Sequence, residues 1–359
     1  MSLIDESYAK FHSIGSKLPI DYHGEKNHHL PSWIDMDRIK KIRSLYDRYS
    51  YSIVFSHLSG LLVLIFNPSI YKTLNKTGKS KNLVTTFYRY YYTAFFVREW
   101  YVNKIWLKND IAYETLNIVS DHFIDELIDC LIDFCLSIQV KNMHANVSDK
   151  QNEGKMPNKD TMSISCVDMT LTQWAFVGFL VLYPKEIGFS LRKEDIETIV
   201  HFWAVIGHLL GIEDEYNLCL GDLHTVRKRC QLILDNDVRP HFLNYDHDSA
   251  TMVERILVSY NQYIIGSRFT LFIKFVFDTI QIEKPMPITM NRMDAFFYRM
   301  FMYLLQNLYF NYAIIRFLIN QYNELVIFIM KSKMVRRFIA NRLQKMDLQS
   351  NGNIRVVMD

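Results

Sequence analysis

The chain has 359 residues, 49% of them hydrophobic and 14% aromatic, enough apolar material for one large domain or two small ones. Forty-one Lys and Arg against 38 Asp and Glu leave a net charge of +3, too near neutral for a nucleic-acid binder, and no basic run accompanies a nucleic-acid motif. Only 12 residues are glycine, which argues against a turn-rich all-β fold.

In chain order, residues 1–30 are polar and irregular. His23, His28 and His29 stand near Asp21 and Glu25, but their spacing matches no ligand pattern and reads as a solvated loop. The start, Met-Ser-Leu-Ile-Asp-Glu, has neither a charged n-region nor an apolar h-region. The expectation is an intracellular protein, cytoplasmic or associated with the endoplasmic-reticulum membrane, and not one secreted by a classical signal peptide. Pro31-Ser-Trp-Ile-Asp-Met-Asp opens a helix through the Arg48 region. Residues 49–71 contain no Lys, Arg, Asp or Glu and are long enough to cross a bilayer. His57, five serines, Asn67 and Pro68 interrupt them, and these groups would be costly in lipid, so a buried core helix is expected.

A basic loop (Lys72, Lys76, Lys79, Lys81) leads to an aromatic helix over about 83–104, on which Arg89, Tyr92, Thr93, Phe96 and Trp100 share one face. By itself Arg89 reads as an ion-paired arginine or one stacked on a tyrosine ring. A largely buried helix is predicted over about 113–139 and contains His122 beside Glu126. In isolation that histidine reads as a satisfied core residue. Residues 140–164 are polar and read as an exposed loop insertion.

Two helices follow. The first, over about 170–183, has no charged residue and is apolar on nearly every side, with Pro184 and Gly188 ending it. The second, over about 193–210, carries an apolar stripe from Ile196 to Leu210 and stops at Gly211. His201 and His208, seven apart, share a face beside that stripe. Helices are then expected over 223–234 and 250–266 and on through Phe277, with a turn region at 237–248 between the first two. Residues 291–330, rich in Phe, Tyr, Leu, Ile and Met, read as one or two long helices that cover the core or line an apolar pocket. The basic tail from Lys331 to Arg342 reads as a solvated terminal helix, with an anionic membrane surface as the alternative. The five cysteines (Cys130, Cys135, Cys166, Cys219 and Cys230) form neither a zinc spacing nor a disulfide framework.

The stretch from Asp168-Met-Thr-Leu-Thr-Gln-Trp-Ala-Phe through Val-His-Phe-Trp-Ala-Val-Ile-Gly-His to Glu-Asp-Glu-Tyr-Asn217 resembles the catalytic domain shared by bacterial latex-clearing protein (rubber oxygenase) and the endoplasmic-reticulum oxygenase of mycophenolic acid synthesis. The resemblance extends over most of 31–330. It implies an all-helical fold, haem b as cofactor, dioxygen as co-substrate and a hydrophobic, unsaturated, isoprenoid- or lipid-like substrate. The family's distal Arg-x-x-Lys-Thr corresponds here to Arg89-Tyr-Tyr-Tyr92-Thr93, with tyrosine in the lysine position. The resemblance thus assigns catalytic positions to Arg89, Tyr92 and Thr93. The proximal histidine falls on His122, with His201 as the other candidate ligand. The family's arginine near that histidine is missing, and no carboxylate lies between Pro68 and Tyr88 where the rubber enzyme has its proposed base.

The expected architecture is therefore an all-α, single multi-helix bundle over 31–330 with a buried, mostly apolar pocket, a polar extension before it and a basic tail over 331–359. Three readings are open: a haem b-dependent oxygenase; a descendant that binds haem or another hydrophobic ligand without turnover; and a membrane-associated structural protein.

Overall fold

A computed structural model describes residues 3–20, 31–103, 136–157, 159–190, 192–264, 266–281 and 290–349. Within them the chain is helical and contains no strand; an isolated bridge joins Pro19 and Ser165. In chain order the helices are α1 (Leu3–Glu6), α2 (Tyr8–Gly15), α3 (Met36–Leu64), α4 (Pro68–Lys76), α5 (Leu83–Val102), α6 (Leu136–Asn152), α7 (Cys166–Leu182) and α8 (Lys193–Leu209). Then come α9 (Leu223–Ile233), a π-helical turn (Leu234–Val238), α10 (Arg239–Leu243), α11 (His247–Tyr260) and α12 (Phe269–Thr279). The chain closes with α13 (Arg292–Tyr303), a second π-helical turn (Leu304–Tyr309), α14 (Ala313–Met330) and α15 (Lys333–Gln349).

Local chemistry sets the boundaries. Asp35 takes the backbone N–H groups of Asp37 and Arg38 at 3.0 and 3.1 Å, so the Pro31–Asp37 segment opens α3 with a side-chain cap, as its sequence predicts. Ser165 and Asp168 form a capping box at the start of α7: the Asp168 amide donates to Ser165 Oγ and the Ser165 amide to Asp168 Oδ2. At the end of α8, Gly211 has φ +91 and the Ile212 amide reaches back to the Gly207 carbonyl. That is a glycine-terminated Schellman stop, because a side chain there would clash in the left-handed conformation.

The charge-free run after Tyr49 continues α3, and Ile53, Leu62, Val63, Leu64 and Ile65 are buried in it. Residues 140–152 are helical, as part of α6, where polar composition predicted a loop. The Asn152 side chain explains part of the difference. Its Oδ1 accepts from the Ser163 amide and its Nδ2 donates to the Ser163 carbonyl, tying the helix end to the segment ahead of α7.

The chain divides into two compact units. The first holds residues 1–46, 92–173 and 197–229. Its core is aromatic: Tyr46 stacks on Tyr101, and Trp203 donates from Nε1 to the Tyr101 hydroxyl at 2.6 Å. The second holds residues 47–91, 174–196 and 230–359. There Gly60 permits α3 to approach α7 so closely that a Cβ would lie 1.9 Å from the Ala175 carbonyl oxygen. Trp174 in the same unit donates to the Cys230 carbonyl at 2.9 Å.

Candidate functional site

The segment carrying the resemblance is held by a buried amide network in the first unit. Gln173 on α7 donates from Nε2 to the Trp203 carbonyl and to Asn217 Oδ1, both at 2.9 Å, and accepts the Leu218 amide on Oε1 at 2.9 Å. Asn217 donates to the Ala204 carbonyl at 2.8 Å and accepts the Cys219 amide at 3.2 Å. Both side chains are almost fully excluded from solvent. Gly207 makes the contact possible, since a Cβ there would stand 2.4 Å from Gln173 Nε2. Beside them Arg229 grips Asp5 with two nitrogens and donates to the Leu220 carbonyl at 2.5 Å. Every amide hydrogen-bonding atom of Gln173 and Asn217 is engaged, so this network holds backbone in place and presents no reactive group. Neither Gln173 nor Asn217 belongs to a sequence motif that assigns it a role. The available signal was a lone amide in an uncharged helix, where its partners had to be internal.

His201 and His208 do share a face, and both rings meet the edge of Trp33, at centroid distances of 5.9 and 6.0 Å. Trp33 donates from its indole nitrogen to Asp214 at 3.1 Å. His201 Nε2 accepts the Asp35 amide at 2.9 Å. Burial pushes the His201 pKa below its ordinary value, and the Arg38 cation adds to the shift against the opposing pull of Asp35. The ring is thus a neutral acceptor whose Nε2 lone pair is used on backbone, and it is not offered to a metal in this arrangement.

Arg89 lies in the second unit, on α5. Its Nη1 donates to the Leu74 carbonyl at 3.3 Å, to Thr77 Oγ1 at 3.0 Å and to Ser80 Oγ at 3.2 Å, and its guanidinium lies 5.7 Å from the centre of the Tyr90 ring. The side chain fastens the loop between α4 and α5. The stacking expectation is met by Tyr90, and hydroxyl and carbonyl oxygens accept from the guanidinium. Tyr92 and Thr93 follow on the same helix, and Tyr92 stacks on Phe96 at 6.1 Å.

His122 lies outside the described residues, together with the predicted helix around it. The histidines of 21–30 also fall outside them. Among the described residues no group of three or more His, Cys, Asp or Glu could hold a metal ion. Cys166, Cys219 and Cys230 are buried thiols outside any disulfide among the described residues. Of the two histidines expected as ligands, His201 has its Nε2 on the Asp35 amide and His122 lies outside the described residues.

Another buried histidine, His57 on α3, lies within hydrogen-bond distance of the Phe176 carbonyl, with Nδ1 at 2.8 Å from it. Burial pushes its pKa down to about 3, so it is a neutral donor to backbone and is silent as an acid or base near neutrality.

No protein-family model, curated protein or solved structure matches this chain.

Proposed function

We propose that this chain is a haem b-dependent oxygenase of apolar, unsaturated substrates, with the His122 imidazole as the iron ligand. The observation that carries this reading is the Asp168–Asn217 segment, where the family resemblance is strongest. The all-helical fold agrees with it. Bound haem would supply the dioxygen chemistry, and the chain would supply an axial imidazole and an apolar surrounding that excludes water. No step is assigned to Arg89 or His201, because both are engaged on protein groups.

Those engagements favour a second reading, a helical protein that binds a hydrophobic ligand without turnover. The absorption spectrum of the purified protein after haem addition separates the two. The oxygenase reading expects a Soret band that His122→Ala removes or shifts and that His201→Ala leaves in place. Loss of the band in His201→Ala alone transfers the ligand role. A protein that acquires no Soret band leaves the second reading.

A further inference from the structure

The three C-terminal helices, all within the second unit, expose many large apolar side chains on α13, α14 and the start of α15. On α14 the exposed residues include Ile314, Phe317, Leu318, Leu325, Phe328 and Ile329. They fall at i, i+3, i+4, i+11, i+14 and i+15, one continuous stripe. Ile314 is 64% and Phe328 73% exposed. On α13 the exposed large apolar residues are Met293, Phe296, Phe297, Met300 and Tyr303, with Arg292 and Arg299 also exposed. Met334 and Phe338 at the start of α15 are 78% and 69% exposed.

Several polar residues of α13 and α14 point inward. Asn320 of α14 is buried, donating to the Arg48 carbonyl at 2.7 Å and the Asp47 carbonyl at 3.3 Å. Its Oδ1 accepts the Tyr51 amide and the Tyr309 hydroxyl. These groups flank Tyr49, where α3 leaves helical geometry (φ −136, ψ 25). Arg316 donates to the Tyr309 and Phe310 carbonyls and lies over the Tyr49 ring. Asp294 of α13 is buried against Arg268, and Tyr298 donates to Asp278 at 2.6 Å. The inward polar face therefore has specific partners, which fixes the apolar face outward.

The charge on these helices is one-sided. Residues 291–349 hold nine Lys and Arg and three Asp and Glu, a net of +6 in a chain whose total is +3. Lys331, Lys333 and Arg337 are all exposed, interleaved with Met334 and Phe338. An extended apolar face flanked by cations matches an anionic lipid surface, with the aromatic and aliphatic side chains below the headgroups and the cations among them.

α14 is 18 residues long, about 27 Å, and by length and composition it could cross a bilayer. Its inward face argues otherwise: Asn320 and Arg316 are engaged on protein carbonyls, so the helix has one lipid-compatible side rather than a complete apolar circumference. We propose that the exposed face of α13, α14 and the start of α15 docks in the plane of an anionic membrane surface. This inference is independent of haem binding and of His122.

The test is flotation of the purified full chain with phosphatidylcholine vesicles, with and without about a third phosphatidylserine. The docking surface expects recovery with the anionic vesicles and much less with the neutral ones. Phe317→Glu and Phe328→Glu should each lower recovery about ten-fold or more. Reversal of Lys331, Lys333 and Arg337 should lower it by about five-fold per residue at low salt. Thermal melts of these exposed-site variants verify folding.

Failure of the wild type to float overturns the proposal, as does equal partition onto neutral vesicles. A dimer seen by light scattering, dissociated by the same phenylalanine variants while vesicles are ignored, assigns the face to a second copy and overturns it too. Retention in membranes after alkaline carbonate overturns the in-plane arrangement in favour of a span.

Discussion

α7 and α14 are both long helices rich in apolar residues that each bury an amide side chain, Gln173 and Asn320, yet they meet water in opposite ways. α7 is buried almost all round, and its Gln173 closes a network inside the first unit. α14 buries Asn320 and leaves its aliphatic and aromatic stripe outside. The difference teaches that the polar partner orients an apolar helix when neither face is charged enough to do so. Gln173 finds backbone from several segments around it. Asn320 finds its partners on one side only, at the break in α3, and the rest of the helix turns outward as a consequence. Residues 291–330 are expected from their sequence to cover the core or line an apolar pocket; Leu305, Tyr309 and Met330 are buried, while Met293, Phe296, Phe317 and Phe328 are exposed.

The comparison can be broken at either amide. Gln173→Leu keeps the volume but leaves the Trp203 carbonyl, the Leu218 amide and part of Asn217 without their partner. Urea unfolding should record a loss of about 3 kcal/mol or more. A loss below about 1 kcal/mol would show that water or a rearrangement replaces the network. Asn320→Leu strips the partner from four groups around the α3 break, and the expected loss is about 2–3 kcal/mol in the same assay.

Acid offers a third route. The His57 pKa is about 3 folded against 6.5 as the ordinary value. Between these values the unfolded chain binds a proton that the folded chain refuses, so stability falls as pH drops through that window. By pH about 4.5 the contribution is roughly 2–3 kcal/mol, read as a falling urea midpoint that is flatter in His57→Leu. Glu254, pushed up to about 7 by burial, acts in the opposite sense. It stabilises the fold at low pH and that contribution is lost as pH rises toward 7. The acid loss should therefore be steeper in Glu254→Gln. The smallest effect belongs to the outward stripe: Phe328→Ser should change stability by no more than about 0.5 kcal/mol while still weakening vesicle recovery. A large loss of stability there would mean that Phe328 is covered by protein.

Much of the helical framework was legible in the chain itself. The helix opening at Pro31–Asp37, the stop at Gly211 and the shared face of His201 and His208 follow from local rules and stand as read. The start of α7 was legible too, but the Ser165–Asp168 capping box was passed over in favour of the apolar run behind it. The candidate site was less legible, because its residues are defined by what they touch. Arg89 and His201 are chemically suited to bind a ligand, and their hydrogen bonds to a loop and to a backbone amide come from segments remote from the patterns that drew notice to them.

The sequence by itself determined the helical class, most helix positions and the excess of positive charge near the C-terminus, since periodicity, capping and composition act over a few residues. Only the tertiary structure decided which side of an apolar helix faces outward and which polar side chains are already taken. Those outcomes depend on partners brought in from distant segments, and a buried amide will turn a helix to reach them because leaving it unpaired costs more than exposing a leucine.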